Sequence, residues 1–188
     1  MHSYACLIVA ILLTSQSEAV NYVNNFDEQF FFACPNPDEF VNHVESIHSN
    51  GAEDRRFAFS CSKVPSSGQE EQGNIHCLPI TGYVNDFDGP LAFQCNDNYY
   101  INGMGSRHDN HPEDRIWQFK CCGILGMHMD DCKYTGWTNT YDQPQMFNAE
   151  NGYITRGVVS VHNNGPEDRL YEYEICQPLM GETSPIVG

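Results

Sequence analysis

Three histidines in this chain carry the same neighbours. His48 is followed by Asn50 and then Glu53-Asp54-Arg55, His108 by Asn110 and Glu113-Asp114-Arg115, and His162 by Asn164 and Glu167-Asp168-Arg169. An imidazole offers a donor, an acceptor and a charge that changes between about pH 5 and 8, while a guanidinium offers a rigid fork of donors to a carboxylate or an anion. As chemistry, each set could make a polar pocket for a sugar hydroxyl or an anion. As structure, Asp would accept backbone N–H groups in a turn while Arg binds a carboxylate or stacks on an aromatic ring. Neighbours on a strand alternate faces, so an adjacent Asp and Arg are not expected to share one pocket, which favours the structural role. The candidate ligand residues are His48, Asn50, Asp54 and Arg55, His108, Asn110, Asp114 and Arg115, and His162, Asn164, Asp168 and Arg169. Three weak sites would gain strength only on a multivalent surface, such as a cell or a polymer matrix.

Other chemistry is thin. His108-x-x-His111 beside Asp109 resembles a metal pair but has no further ligands at metal-site spacing, and no EF-hand spacing accompanies the many acids, so neither a metal site nor a cofactor is expected. There is no G-x-S-x-G, H-E-x-x-H or phosphate-binding loop, and threefold repetition of each polar cluster argues against one asymmetric active site, so the chain is read as non-enzymatic. No N-x-[ST] sequon follows residue 19. Tyr171-Glu172-Tyr173-Glu174 has the look of a sulfation context, but its alternation reads as a strand with buried tyrosines.

The elements that must hold these residues follow from a repeat. The shared pattern is S-x-H-x-N-[GH]-[AP]-E-D-R-x-[FWY]-x-[FY], and each copy is announced upstream by a second one: Tyr22-Val23-Asn24-Asn25-Phe26-Asp27, Tyr83-Val84-Asn85-Asp86-Phe87-Asp88 and Trp137-Thr138-Asn139-Thr140-Tyr141-Asp142. The chain is thus three units of about 40 residues, spanning about 22–61, 83–121 and 137–176, with spacers near 62–82 and 123–136. Aromatics two apart after each Asp-Arg (Phe57/Phe59, Trp117/Phe119, Tyr171/Tyr173) have the strand period, the Asn-Gly/His-Ala/Pro stretch before them is turn chemistry, and Phe30–Cys34, Leu91–Cys95 and Gln145–Ala149 read as a further strand in each copy. No sustained helical period appears. The expected class is all-β: a single disulfide-stabilised domain of three repeats in a pseudo-threefold arrangement, trefoil-like or prism-like.

Composition sets the surroundings. The 188 residues carry 9 Lys+Arg against 25 Asp+Glu, a formal charge of −16, with a mean hydropathy of −0.47. That excludes a polytopic membrane protein, and the sign of the charge argues against nucleic acid, heparin-like polymers and anionic lipid as partners. Leu7–Leu13 (LIVAILL) is too short to span a bilayer and, with Ser17 and Ala19 before Val20, reads as a secretory signal peptide over 1–19, leaving 20–188 as the secreted domain. Its removal takes Cys6 from the nine cysteines, and the even remainder in an exported chain reads as a disulfide framework. Cys34–Cys61 and Cys95–Cys121 bracket the first two repeats equivalently; Ala149 stands at the matching place in the third, so Cys132–Cys176 would span that repeat and Cys77–Cys122 would tie the spacers.

Asp54-Arg55-Arg56-Phe57-Ala58-Phe59-Ser60-Cys61 and Asp114-Arg115-Ile116-Trp117-Gln118-Phe119-Lys120-Cys121, with the doubled Cys121-Cys122, resemble the dermatopontin family over nearly the whole mature chain. The resemblance implies a small, secreted, acidic, disulfide-linked matrix protein, and its implied pairing agrees with the four bonds above. Relatives in that family are described as haemagglutinins, cell-aggregation factors, shell-matrix components and cnidarian cytotoxins, and vertebrate members as binding proteoglycan, growth factor and cell-surface receptors. Two departures stand out: the strong negative charge opposes glycosaminoglycan binding, and the tyrosine-rich N-terminal segment of vertebrate members is short here. The expectation is a secreted extracellular-matrix or cell-adhesion protein, a multivalent agglutinin whose partners are matrix or cell-surface glycans or glycoproteins, with self-association into a homo-oligomer allowed. The alternatives are a cytolytic toxin of the same family and a purely structural, self-assembling matrix component.

Overall fold

A computed structural model of the chain describes residues 19–65 and 74–181; apart from Ala19, the expected signal peptide lies outside them. The described residues form eleven strands and no helix. In chain order they are β1 (Phe30–Ala33), β2 (Glu39–Ser49), β3 (Asp54–Lys63), β4 (Ile75–Cys77), β5 (Leu91–Gln94), β6 (Tyr99–Asp109), β7 (Asp114–Ile124), β8 (Met127–Tyr134), β9 (Gln145–Asn148), β10 (Ile154–Asn163) and β11 (Asp168–Met180). No helix among the described residues is long and apolar enough to cross a membrane.

Each repeat supplies one short strand and one long hairpin, and the short strand does not join its own hairpin. β1 pairs with β6 of the second repeat, β5 with β10 of the third, and β9 with β2 of the first, so the exchange closes on itself in three steps. Three sheets result, β1-β6-β7-β4, β5-β10-β11-β8 and β3-β2-β9. Every hairpin carries a bulge at the same place, between Val41 and His43, Ile101 and Gly103, and Thr155 and Gly157. A bulge leaves one residue outside the ladder, and here its carbonyl is used: Asn42, Asn102 and Arg156 accept the N–H of Ala149, Cys34 and Cys95, the residues just past β9, β1 and β5. The bulge therefore sets the register in which one repeat enters the next.

The aromatic alternation of the motif builds the core. Phe57, Trp117 and Tyr171, each buried, meet edge to face with ring centroids 5.2 to 6.0 Å apart, an arrangement in which a positive ring edge faces a negative ring plane. One pleat further on, Phe59, Phe119 and Tyr173 stack on Phe32, Phe93 and Phe147, at 5.0, 4.2 and 3.9 Å, so each hairpin is tied to the short strand its own repeat has lent to a neighbouring sheet.

Two strands come from the segments read as spacers. β4 and β8 lie in them and cover the outer edges of β7 and β11, which would otherwise present unpaired backbone groups. Disulfides fix both covers, Cys77–Cys122 and Cys132–Cys176, while Cys34–Cys61 and Cys95–Cys121 join the short strand and hairpin of the first two repeats. Four bridges at about 2–4 kcal/mol each are comparable with the net stability of a domain this size.

Candidate functional site

The three Asp-Arg pairs converge at the start of β3, β7 and β11, and their partners lie in the neighbouring repeat. Arg55 holds Asp168 through Nε–Oδ1 and Nη2–Oδ2, both at 2.6 Å. Arg115 holds Asp54 at 2.6 and 2.7 Å, and Arg169 holds Asp114 at the same distances. The three bidentate pairs form a closed ring in which every carboxylate and guanidinium is 3% exposed or less. Each aspartate also accepts a backbone N–H from the upstream motif: Asp27 to Asp54 at 2.8 Å, Asp88 to Asp114 at 2.8 Å and Asp142 to Asp168 at 2.9 Å. Each arginine donates its Nη2 to a carbonyl of the same preceding repeat, Gln143 for Arg55, Glu28 for Arg115 and Gly89 for Arg169. Burial pushes the Asp168 carboxyl up, but the neighbouring His48, the Arg55 guanidinium and the Asp142 N–H outweigh it and hold the group at about 2.

Both members of each pair border this site but serve different partners, Asp54 taking Arg115 while Arg55 holds Asp168. Asp54, Asp114 and Asp168 are the first residues of their strands, each preceded by a glutamate in the left-handed region (Glu53, Glu113 and Glu167, φ 46 to 47°) and paired in register with the last residue of β2, β6 or β10. Together the three Glu-Asp-Arg triplets line an axial cavity of about 20 Å³, room for roughly one water molecule and too little for a sugar ring.

The candidate histidines are not in exposed turns. His48, His108 and His162 lie near the ends of β2, β6 and β10 and pair across the hairpin with Arg55, Arg115 and Arg169. Their side chains are 0 to 1% exposed. His48 Nε2 is 3.6 Å from Asp142 and 3.8 Å from Glu53; His108 Nδ1 is 3.5 Å from Asp27, with Nε2 3.8 Å from Glu113; His162 Nδ1 is 3.2 Å from Asp88, with Nε2 3.7 Å from Glu167. Of the twelve candidate ligand residues, Asn50, Asn110 and Asn164 are the ones open to solvent, at the hairpin tips.

A second site had no signal in sequence. At the opposite end of the β6–β7 hairpin, where Tyr99 pairs with Gly123, a cleft of about 440 Å³ is lined by Asn74, His76, Asp97, Asn98 and Tyr99 together with the Gly123–Met127 turn. Its polar side chains come from two segments, 74–76 and 97–99, and the third segment, 123–127, is glycine and apolar. His76 Nδ1 and the Tyr99 hydroxyl are 3.1 Å apart, and Arg156 reaches across to Asp97 at 2.8 Å. Tyr99 packs partly on the core, and beside the amides, the carboxylate and the imidazole the cleft is lined by the apolar side chains of Ile75, Ile124, Leu125 and Met127, of which Leu125 is 74% exposed.

The comparisons with known proteins agree on one family. The family model described as Dermatopontin matches residues 24–180, and also 2–77. The hemagglutinin/amebocyte aggregation factor of Limulus polyphemus is 35% identical over 179 residues, 94% of this chain and 98% of that protein. The dermatopontin of Biomphalaria glabrata is 29% identical over 156 residues, 83% of this chain and 99% of that protein, and Millepora cytotoxin-1 of Millepora dichotoma is 34% identical over 154 residues, 82% of this chain and 65% of that protein. No solved structure matches. With a family model covering most of its length and a relative aligned almost end to end, the chain belongs to the dermatopontin family.

Proposed function

We propose that the chain is a secreted, non-enzymatic extracellular-matrix and cell-adhesion protein that acts as an agglutinin by binding glycans or glycoproteins. The observation that carries this reading is the cleft at the Tyr99 end. Its volume lies in the range of small-ligand sites, and its lining combines the Tyr99 ring and the apolar side chains of Ile75, Ile124, Leu125 and Met127, for the apolar face of a pyranose, with Asn, Asp and His to exchange hydrogen bonds with hydroxyls. The agglutination activity in the name of the Limulus relative is consistent with it. The buried histidines of the ring support the fold beneath the hairpin tips, and direct sugar contact there falls to Asn50, Asn110 and Asn164.

Agglutination requires one particle to touch two cells. The three hairpin tips lie at one end of their strands and the cleft at the other, so both ends of one molecule, or two clefts in a dimer, meet that need. The test is haemagglutination by the oxidised chain with a panel of competing sugars, comparing wild type with Tyr99→Ala/His76→Ala and with Asn50→Ala/Asn110→Ala/Asn164→Ala. Loss of titre in the first variant, with unfolding curves unchanged, assigns the cleft; an unchanged titre in it discards the cleft. Release of haemoglobin without clumping would instead place the chain with the cytolytic alternative.

A further inference from the structure

The ring leaves an electrostatic remainder that its arginines do not cancel. Each junction between repeats gathers three carboxylates and one guanidinium about a histidine: Asp27, Asp54 and Glu113 about His108, with Arg115 on Asp54; Asp88 and Glu167 about His162, with Arg169 on Asp114; Asp142, Asp168 and Glu53 about His48, with Arg55 on Asp168. A fully buried imidazole sits in the middle of each. Both ring nitrogens of His48 and of His162, and Nε2 of His108, have no hydrogen-bond partner. A buried polar atom left without a partner is costly, and Nε2 is left so in all three histidines, while Nδ1 of His108 lies 3.3 Å from Asn110 Oδ1.

We propose that each of these three junctions binds one divalent metal ion, Zn²⁺ by its ligand chemistry, between the buried histidine of one repeat and the carboxylates of the repeat before it. The separations fit a shared ion better than direct hydrogen bonds. Ligand atoms about 2.0–2.2 Å from a tetrahedral zinc lie roughly 3.3–3.6 Å from one another, and the His–Asp distances are 3.6 Å from His48 Nε2 to Asp142, 3.4 Å from His48 Nδ1 to Asp168, 3.5 Å from His108 Nδ1 to Asp27, 3.9 Å from His108 Nε2 to Asp54 and 3.2 Å from His162 Nδ1 to Asp88. In each of the sets His48/Asp142/Asp168, Asp27/Asp54/His108 and Asp88/Asp114/His162, one donor atom per residue lies within 4.8 Å of the others. Imidazole with carboxylate oxygen is a borderline donor set that favours zinc over calcium, which prefers six or more oxygens.

The charge agrees, since a dication would neutralise the excess of two negative charges at each junction. Ring aspartates have capacity left after the guanidinium, because Oδ1 accepts one N–H and an ionised oxygen has two lone pairs. The upstream aspartates Asp27, Asp88 and Asp142 are 42, 43 and 34% exposed, which gives the ion a way in past the buried imidazole. Each ion would bridge two repeats, so metal uptake would lock the cyclic exchange. This site lies at the other end of the hairpins from the proposed glycan cleft, and neither claim depends on the other.

The experiment is isothermal titration of the EDTA-stripped, oxidised chain with Zn²⁺, with Co²⁺ absorption as a second readout of nitrogen and oxygen ligation. Three equivalents are expected, with a higher melting temperature in zinc. Asp88→Asn should lower the uptake to two equivalents, and Asp27→Asn/Asp88→Asn/Asp142→Asn should abolish it. Asn tolerates the left-handed backbone at these positions, where φ is 59 to 65°, so the metal-free variants should melt near the wild type. No zinc uptake by the wild type, or uptake that the triple variant leaves intact, overturns the proposal.

Discussion

Arg169 grips Asp114 of the preceding repeat with Nε–Oδ1 at 2.6 Å and Nη2–Oδ2 at 2.7 Å, while the aspartate beside it in sequence, Asp168, is taken by Arg55. Each Asp-Arg dipeptide thus faces two ways, accepting from one neighbour and donating to the other. Three such dipeptides close a ring only if all three repeats are in place, which makes the ring a check on the assembly of the whole domain.

Breaking one member leaves its partner buried and unpaired. Asp114→Ala strands the Arg169 guanidinium and the Asp88 N–H together, so the expected loss is about 3–5 kcal/mol, well above the typical surface pair. Arg169→Lys keeps the charge but gives up the two-pronged contact and the Gly89 carbonyl, and should lose less. Urea unfolding of the two variants checks the order; equal and small losses would show that the ring carries no stability.

Phe57, Trp117 and Tyr171 occupy equivalent places around the aromatic cluster, so the repeat itself indicates what each position tolerates. Trp117→Phe places at the second position the ring the first already holds and should cost about 1–2 kcal/mol, whereas Trp117→Ala leaves a large void and should cost about 3–5 kcal/mol. Trp137, the other tryptophan, is 48% exposed against 1% for Trp117. In Trp117→Phe the remaining fluorescence should therefore be quenched readily by acrylamide, which confirms that the buried emitter was the one removed.

Asn85 of the upstream motif acts as a surrogate strand residue. Its Oδ1 accepts from Trp117 N at 2.9 Å and its Nδ2 donates to the Arg115 carbonyl at 3.2 Å, as Asn24 and Asn139 do for Phe57 and Tyr171 and their own preceding arginines. Asn85→Ala removes both bonds at a buried site and should cost about 1–3 kcal/mol. Asn85→Asp keeps the acceptor but sets a carboxylate against a carbonyl, and is expected to be worse. Hydrogen exchange at the Trp117 amide reads the effect locally.

The triple repeat was legible because each polar residue of the motif recurs at nearly the same spacing, and its aromatic alternation announced the strands that carry the core. The partners were not legible. The ring pairs join residues 113, 61 and 55 positions apart, and nothing in one repeat says that its arginine must serve the preceding one. The pleat rule separates Asp54 from Arg55, and their partners do lie in different repeats, but it gives no sign that both residues border one small cavity. β4 is three residues and β8 is rich in His, Asp and Lys, so neither shows the apolar alternation of a covered strand; they exist because disulfides hold them to β7 and β11. The Tyr99 cleft is assembled from three separate segments and has no linear pattern at all.

Glu174 gives the clearest dependence on pH. It lies on β11, 5% exposed, with Oε1 3.5 Å from Arg156 Nη1 and Oε2 without a partner. Burial raises its carboxyl above the ordinary 4.5, and the Arg156 charge and the Gln94 amide recover only part of that. The folded protein therefore holds this proton more tightly than the unfolded chain. By linkage, stability falls as pH rises from about 4.5 through the raised folded value, and the penalty persists above it. Glu174→Gln removes the charge at similar size, so the variant should be more stable than wild type at pH 7 and equal to it near pH 3. Paired urea titrations at the two pH values decide it: a variant less stable than wild type at pH 7 would mean that the Arg156 contact outweighs the burial of the charge.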